Sequence, residues 1–303
     1  MARVFAFFDF DDTLLDGDSI LYWLRFYYNR RPGRRVFQLL NWVGLLLFLI
    51  RLVDSHTLKR IYLYPMSLEN PEELDHLAEE FVRTDLAGRF HAPILRRLWT
   101  HHLLGHKIVI ISASATFYLR HLKSLLPMAD IQGSEMIWPK APFLSLPRYR
   151  DGNLRGENKI TRLKALGYAD AAPLSFAYSD HQHDVFLLRF SEFPICVRPT
   201  PKLRKIAAAE HWPIMDWQPE GGTDRPRWQV QLSKLRLLLF SMGPIGSTLC
   251  DPVHEAATAR EYAPAHSREL SQWVTAKYPP EAHPEIHKTL FGAAPENRIP
   301  KQP

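Results

Sequence analysis

Residues 4–19 read VFAFFDFDDTLLDGDS, and this stretch decides the fold. The apolar run Val4–Phe8 stops at a cluster of carboxylates, which is typical of a buried parallel strand that delivers acids to the carboxyl edge of a sheet. Ile108–Ile111 and Leu174–Tyr178 end at polar residues in the same way, and Pro194–Val197 is a further predicted strand. Helical segments are predicted between these runs. The alternation predicts an α/β core with a mostly parallel sheet.

The spacing of these strands predicts three parts. Residues 1–18 and 100–218 form the predicted catalytic core. Residues 19–99 separate the first two strands by far more chain than a crossover needs, and their pattern predicts an inserted helical cap. Residues 219–303 hold eleven of the 24 prolines, so we expect a partly disordered extension with one helix near Trp228–Phe240.

Composition narrows the function classes. The 303 residues carry a net charge of +6 and 46% hydrophobic residues, which excludes a mostly disordered chain. Cys196 and Cys250 form no CxxC pair, which excludes a disulfide scaffold and a cysteine-built zinc site. The basic residues are spread along the chain, so we expect no nucleic-acid partner. The N-terminal run is interrupted by acids and does not resemble a signal peptide, so we expect a cytoplasmic protein.

Asp9 and Asp11 are the strongest candidates for catalysis. Two carboxylates at i and i+2 on the loop leaving one strand can face one small site. One can attack a phosphorus atom, while the other moves a proton on and off the leaving oxygen. Because both carboxylates and a phosphate are anionic, a cation has to lie among them. We expect Mg²⁺ with oxygen ligands.

Four later residues fit the same chemistry. Ser112 follows the second predicted strand, where its hydroxyl could hold a phosphoryl oxygen. Lys159 opens a predicted helix, and its ammonium could neutralise charge on the transferred phosphoryl group. Asp180 follows the third strand, and Asp184 comes four residues later. This pair could complete the metal site, one as a ligand and one behind it.

The order of these motifs resembles the haloacid dehalogenase superfamily of phosphotransferases. The supporting stretches are FFDFDDTLLDGDS, VIISAS, GENKITRL and YSDHQHDVFLL. The likeness is to the phosphoserine-phosphatase-like subfamily IB, which has a Rossmann-like core and a helical cap. It implies a Mg²⁺-dependent phosphomonoesterase that forms an aspartyl-phosphate intermediate. Asp12 departs from the pattern, because many relatives have Gly there.

The resemblance also implies a role for each matching residue. Asp9 would be the nucleophile and a metal ligand. Asp11 would be the general acid and base, with its backbone carbonyl on the metal. The remaining residues would be Thr13 as a support of the loop, Ser112 and Lys159 as phosphate ligands, Asp180 as a metal ligand and Asp184 as its supporting neighbour.

The most unusual part of the predicted cap is the segment 36–53. Val36–Ile50 holds no charged residue, while Arg30, Arg31, Arg34 and Arg35 precede it and Arg51 follows. A fifteen-residue helix rises about 22 Å, short of the roughly 30 Å hydrocarbon core, so we expect no membrane span. Two interpretations stay open. In the first, the segment lies on an anionic membrane, and the protein would be peripheral at the inner face of that membrane. In the second, the segment is buried in the cap or in a cap–cap homodimer.

The substrate also stays open at this level. The apolar, arginine-flanked segment is similar to that of relatives that act on phosphatidylglycerophosphate, which favours a phosphorylated lipid or another amphiphilic alcohol. Other relatives with the same core act on phosphoserine or histidinol phosphate, so a soluble phosphatase of a small metabolite is the alternative. A non-catalytic membrane-associated scaffold is the alternative of another class, although a scaffold has no use for clustered acids.

Overall fold

Strand β1 lies inside a six-stranded parallel sheet. The computed structural model describes residues 4–140, 145–168 and 174–216, so the predicted extension 219–303 and its helix lie outside the described residues. The sheet order is β3-β2-β1-β6-β7-β8. These strands are β1 (Phe5–Phe8), β2 (Lys107–Ala115), β3 (Ala129–Ser134), β6 (Ser175–Ser179), β7 (Phe193–Val197) and β8 (Ile214–Met215). The α/β prediction is confirmed.

The register of the sheet fixes where the site forms. Phe5 of β1 pairs with Lys107 of β2 on one side and with Ser175 of β6 on the other. The later strands therefore lie on both sides of β1, with β2 and β3 on one side and β6, β7 and β8 on the other. Such a switch point opens a crevice at the carboxyl ends of the strands. A small antiparallel hairpin of β4 (Met136–Ile137) and β5 (Arg148–Tyr149) stands apart from the sheet.

Helices cover both faces of the sheet. On one face lie α7 (Glu157–Ala165), α8 (Val185–Phe190) and α9 (Pro201–Ala209), packed through apolar residues such as Leu163, Leu188 and Leu203. On the other face lie α5 (Ala92–Leu103) and the short α6 (Thr116–Leu119). The predicted division at residues 99 and 100 falls inside α5, and the domain limits stay a prediction.

Four further helices form the segment between β1 and α5. They are α1 (Ser19–Arg30), α2 (Gln38–Leu49), α3 (Ser55–Leu63) and α4 (Pro71–Phe81). Aromatic rings pack at their centre, where Trp23 of α1 lies against Phe81, Phe117 and Tyr118 at centroid distances of 5.1 to 6.0 Å. These contacts seat α1 on the residues that follow β2.

Helix α2 exposes several leucines, although Trp42 and Leu45 on the same helix pack against the core. Its buried residues are Gln38, Asn41 and Gly44, whereas Leu39 is 70% exposed and Leu49 is 66% exposed. Asn41 donates to the Tyr28 hydroxyl at 2.9 Å. The segment 36–53 does not form one continuous helix, because Pro32–Phe37 forms a 3₁₀ helix and Arg51 has a positive φ of 61°. Across the described residues, none of the helices is long and apolar enough to cross a membrane.

Candidate active site

The loop that leaves β1 brings its carboxylates to the carboxyl edge of the sheet. The Asp9 backbone N–H donates to the carbonyl of Tyr178 at 2.9 Å, so Asp9 continues the pairing of β1 with β6. Asp12 has a positive φ of 56°, and its N–H donates to the Gly17 carbonyl at 3.0 Å. Asp is among the few residues that tolerate this backbone region, which accounts for its standing where many relatives have Gly. The loop thereby curls back to the start of α1.

Lys159 joins two carboxylates from different elements. It lies in the first turn of α7, and only 2% of its surface is exposed. Its Nζ donates to Asp9 Oδ1 at 2.6 Å and to Asp184 Oδ2 at 2.7 Å, while Ser179 Oγ donates to the same Asp184 oxygen at 2.8 Å. Burial alone would lower the pKa of Lys159, but the Asp184 and Asp9 carboxylates outweigh it and raise that pKa. Lys159 therefore remains a cation beside Asp9.

Thr13 connects Asp9 with Asp180. Its hydroxyl lies 3.4 Å from Asp9 Oδ2 and 3.3 Å from Asp180 Oδ1, and it accepts from the Asp180 backbone N–H at 3.1 Å. Since one hydroxyl carries one proton, it can fully satisfy only one of the two carboxylates. Asp9 and Asp180 therefore present neighbouring oxygens that a cation could share.

Asp11 is held by hydrogen bonds from α1 and β2. Its Oδ1 accepts from the Ser19 backbone N–H at 2.8 Å, and its Oδ2 accepts from the Ser114 hydroxyl. Ser112 Oγ lies 3.5 Å from Asp11 Oδ2. We expected Ser112 to follow the end of the strand, but β2 continues to Ala115 with an irregular register after Ile111. Ser112 thus lies within the strand, beside the acid.

All the site residues predicted from the sequence gather at this edge. They are Asp9, Asp11, Thr13, Ser112, Lys159, Asp180 and Asp184. Sequence reasoning missed Ser114 and Ser19. The signal for Ser114 was available, because residues at i and i+2 of a strand face the same side and Ser112 was already a candidate.

Burial raises the pKa of both loop carboxylates, and different neighbouring charges modify the effect at each. Burial raises the pKa of Asp9 to about 7, although the Lys159 ammonium favours its ionised form. Burial, followed by the nearby Asp18 carboxylate, raises the pKa of Asp11 above its ordinary value, although Lys59 opposes this. Clustered acids with raised pKa values in a crevice are common at catalytic centres, and here they coincide with the acids that meet at the sheet edge.

The donor set fits Mg²⁺. Hard oxygen ligands are present on Asp9 and Asp180, and their oxygens lie on either side of one hydroxyl. Within the described ranges, no group of three or more His, Cys, Asp or Glu side chains forms a complete metal site. Mg²⁺ commonly uses one or two carboxylates together with water and substrate phosphate, so the Asp9 and Asp180 side chains are an adequate set.

Comparison with known proteins agrees with this geometry. A model of the haloacid dehalogenase-like hydrolase family matches residues 6–189, which include β1, β2, α7 and β6 with all the residues above. The chain belongs to the haloacid dehalogenase-like hydrolase family. The family resemblance, the fold and the expectation of a hydrolase are confirmed, while the individual roles of the site residues stay predictions.

Two relatives and one solved structure are similar to this haloacid dehalogenase-like hydrolase at 23–25% sequence identity. It is 25% identical over 223 residues to an "inhibition of morphological differentiation protein" of Streptomyces azureus, covering 72% of this chain and 79% of that protein. It is 24% identical over 177 residues to a histidinol-phosphatase of Neisseria meningitidis, covering 55% and 77%. The crystal structure of a Bordetella pertussis protein of unknown function superposes with a TM-score of 0.60 at 23% identity, covering 71% and 99%, which shows a shared fold.

Proposed function

We propose that this chain is a Mg²⁺-dependent phosphomonoester hydrolase that acts through an aspartyl-phosphate. An Asp9 carboxylate oxygen attacks phosphorus, the bond from phosphorus to the leaving oxygen breaks, and Asp11 gives that oxygen its proton. Water then loses a proton to Asp11 and attacks the phosphorus of the acyl phosphate. This releases inorganic phosphate and regenerates the Asp9 carboxylate.

The neighbouring residues have supporting roles in this proposal. Lys159 favours the ionised form of Asp9 and offers positive charge to the transferred phosphoryl group, while Asp184 orients the Lys159 ammonium. Ser112 donates to a phosphoryl oxygen, and Thr13 fixes the spacing of Asp9 and Asp180. Bound Mg²⁺ would neutralise the negative charge that Asp9, Asp180 and the phosphate bring together.

One observation carries the proposal. The Lys159 Nζ is buried at 2.6 Å from Asp9 Oδ1, at the edge of the sheet where Asp11 also lies. A buried ion pair is weak evidence for stability, since burying the charges costs about as much as their attraction returns. The placement of this pair beside a second acid of raised pKa is explained by chemistry at Asp9.

The first test replaces the nucleophile. We expect Asp9→Asn to reduce phosphate release from 4-nitrophenyl phosphate by at least about 10³-fold, because an amide cannot form the acyl phosphate. Asp16→Asn is the matched control, since Asp16 lies on the same loop with its side chain about half exposed. Wild-type activity should disappear with EDTA and return with Mg²⁺. Near-wild-type turnover by Asp9→Asn would exclude the mechanism, and an inactive wild type would favour the scaffold alternative.

For the substrate, we propose a phosphorylated lipid or a similarly amphiphilic alcohol. The outer face of α2 exposes Leu39, Val43, Leu46 and Leu49, and this apolar face continues through Ile50 and Leu52. Contiguous exposed apolar surface of this kind marks a binding surface for a membrane or another protein. The histidinol-phosphatase relative supports the alternative of a small phosphate ester, which the same catalytic residues would serve.

We propose that an anionic lipid surface covers this α2 face. Arg30, Arg31 and Arg34 are paired with glutamates, so they are less available for lipid than the sequence suggested. Across the described residues, Arg35 and Arg51 at the two ends of the face have no acidic partner within 4 Å. Each could gain about 1 kcal/mol near anionic headgroups, whereas a second copy of the chain would place these like charges close together.

Vesicle flotation tests this partner. Wild-type protein should float with vesicles containing phosphatidylglycerol and not with pure phosphatidylcholine, and Leu46→Glu should abolish flotation. Leu103→Glu is the matched control, because Leu103 is a comparably exposed leucine on α5. Arg35→Glu with Arg51→Glu should weaken flotation and spare turnover of 4-nitrophenyl phosphate. If the wild type is a dimer that Leu46→Glu dissociates, a second copy of the chain covers the face instead of lipid. If the wild type is a monomer that does not bind vesicles, another part of the chain covers the face instead.

A further inference from the structure

A chain of buried hydroxyls leads away from Asp11. Ser114 Oγ contacts Asp11 Oδ2 and lies 2.9 Å from Ser19 Oγ, which in turn lies 3.0 Å from the Tyr118 hydroxyl. Ser19 and Tyr118 are fully buried, and Ser114 is 2% exposed. Three hydroxyls in a row with almost no access to water are unusual, because each has to find its partner inside the protein.

Proton counting gives this chain one direction. Before Asp11 takes the proton of the attacking water it is ionised and can only accept, so in that state Ser114 donates to Asp11. The Ser114 oxygen then accepts from Ser19, and the Ser19 oxygen accepts from Tyr118, since each hydroxyl has a single proton. Burial raises the pKa of Tyr118, so its proton remains in place. All three hydroxyl protons therefore point toward the Asp11 carboxylate.

The hydroxyl chain joins three elements. Ser19 is the first residue of α1, Ser114 lies near the end of β2, and Tyr118 belongs to α6. The Ser19 backbone N–H also donates to Asp11 Oδ1 at 2.8 Å, so α1 contacts the acid twice, directly and through Ser114. The Tyr118 ring also stacks on that of Trp23 in α1, with ring centroids 6.0 Å apart. A shift of α1 would alter every one of these contacts.

We propose that Ser114, Ser19 and Tyr118 are positioning residues for Asp11, and that their hydroxyl chain makes the orientation of Asp11 depend on the seating of α1. The inference rests on the proposed function, because it assigns Asp11 a proton to deliver. A general acid works only when its oxygen is aimed at the leaving group, so a wrongly oriented carboxyl loses the acid contribution while phosphate binding is kept.

The test compares two esters that need the acid to different degrees. Nitrophenolate leaves without help, whereas the alkoxide of glycerol 2-phosphate requires a proton. We expect Ser114→Ala to slow single-turnover phosphoryl transfer from glycerol 2-phosphate by about tenfold or more, and from 4-nitrophenyl phosphate by less than about threefold. KM should stay near the wild-type value. Tyr118→Phe should show the same preference with a smaller loss, and Ser114→Thr should restore most of the rate.

Ser175→Ala is the matched control, because Ser175 is a fully buried serine at the start of β6, the end of that strand away from the site. It should change neither ester. Equal losses on both esters in Ser114→Ala, or no loss, would overturn the positioning role. A crystal structure of Ser114→Ala gives a second readout, in which the Asp11 carboxyl should have rotated and an unmoved carboxyl would overturn the proposal. If the wild type hydrolysed neither ester, the proposed function would fail, and the crystal structure would still decide how Asp11 is held.

Discussion

The site edge of the sheet and the outer face of α2 both depart from the rule that charges face water and apolar groups face the core, in opposite directions. At the site, Asp9, Lys159 and Asp184 are buried, and each contacts a group of opposite charge. On α2, leucines face outward while Asn41 and Gly44 face inward. The first departure is resolved inside the chain by ion pairs. In the second, the apolar side chains stay exposed among the described residues.

This difference separates two kinds of functional region. A buried charge cluster has to be completed by the chain itself, because an unpaired charge in the interior is costly. An exposed apolar face costs the folded monomer little, because the same side chains are also exposed in the unfolded chain. Substitutions at the site should therefore change stability as well as activity, whereas substitutions on the outer face of α2 should change association alone.

The largest effect on stability is expected at Lys159. Lys159→Met leaves Asp9 and Asp184 buried side by side without a cation, which should lower the free energy of unfolding by about 3–5 kcal/mol. Urea unfolding in Mg²⁺-free buffer measures this. Arg30→Met is the control, since its pair with Glu80 is exposed and should be worth less than about 1 kcal/mol. Equal losses in the two variants would remove the contrast between the site and the surface.

A middle-sized effect is expected on the inner side of α2. A Cβ at Gly44 would lie 2.9 Å from Ile61 Cγ2, so Gly44→Leu should push α2 off α3 and cost about 1–3 kcal/mol. The neighbouring Val43→Leu is the control, because Val43 faces outward and its change should be nearly neutral. Thermal unfolding of both variants compares the two sides of one helix. A neutral Gly44→Leu would mean that α2 is not seated on α3.

The smallest effect on stability is expected on the outer side of α2. Leu46→Ala should change the free energy of unfolding by less than about 0.5 kcal/mol, because Leu46 is 58% exposed. Leu98→Ala is the control, since Leu98 is fully buried on α5 and its loss should cost about 2–5 kcal/mol. A large loss for Leu46→Ala in dilute protein would show that the face is already covered.

The core and the site residues could be predicted because their signals are local. A buried parallel strand is a short apolar run, and an acid at its end is visible in the same stretch, as at Phe5–Phe8 and Asp9. Strand β3 was missed, because it is a partly buried edge strand and its sequence ADIQGS lacks the continuous apolar run that marks β1. Its place is set by pairing with β2, which sequence periodicity does not reveal.

Contacts between distant segments account for the other differences. The four arginines before α2 looked alike in the sequence, yet Arg31 and Arg34 both reach Glu69 through the packing of helices far apart in the chain. The inward placement of Asn41 and Gly44 on α2 was not predicted for the same reason. A segment with almost no polar residues has no marked face, so only the seat of Asn41 beside Tyr28 shows which side is inward.

The central place of β1 has a consequence for how the protein folds during synthesis. β1 pairs with β2 about 100 residues later and with β6 about 170 residues later. At ribosomal rates of about 5–20 residues per second, β1 waits roughly 10–30 s before its second neighbour exists. Contacts so distant in sequence form slowly, so the apolar N-terminal run stays exposed for much of translation. The strand that precedes Asp9 is therefore a part of the newborn chain that needs protection from aggregation.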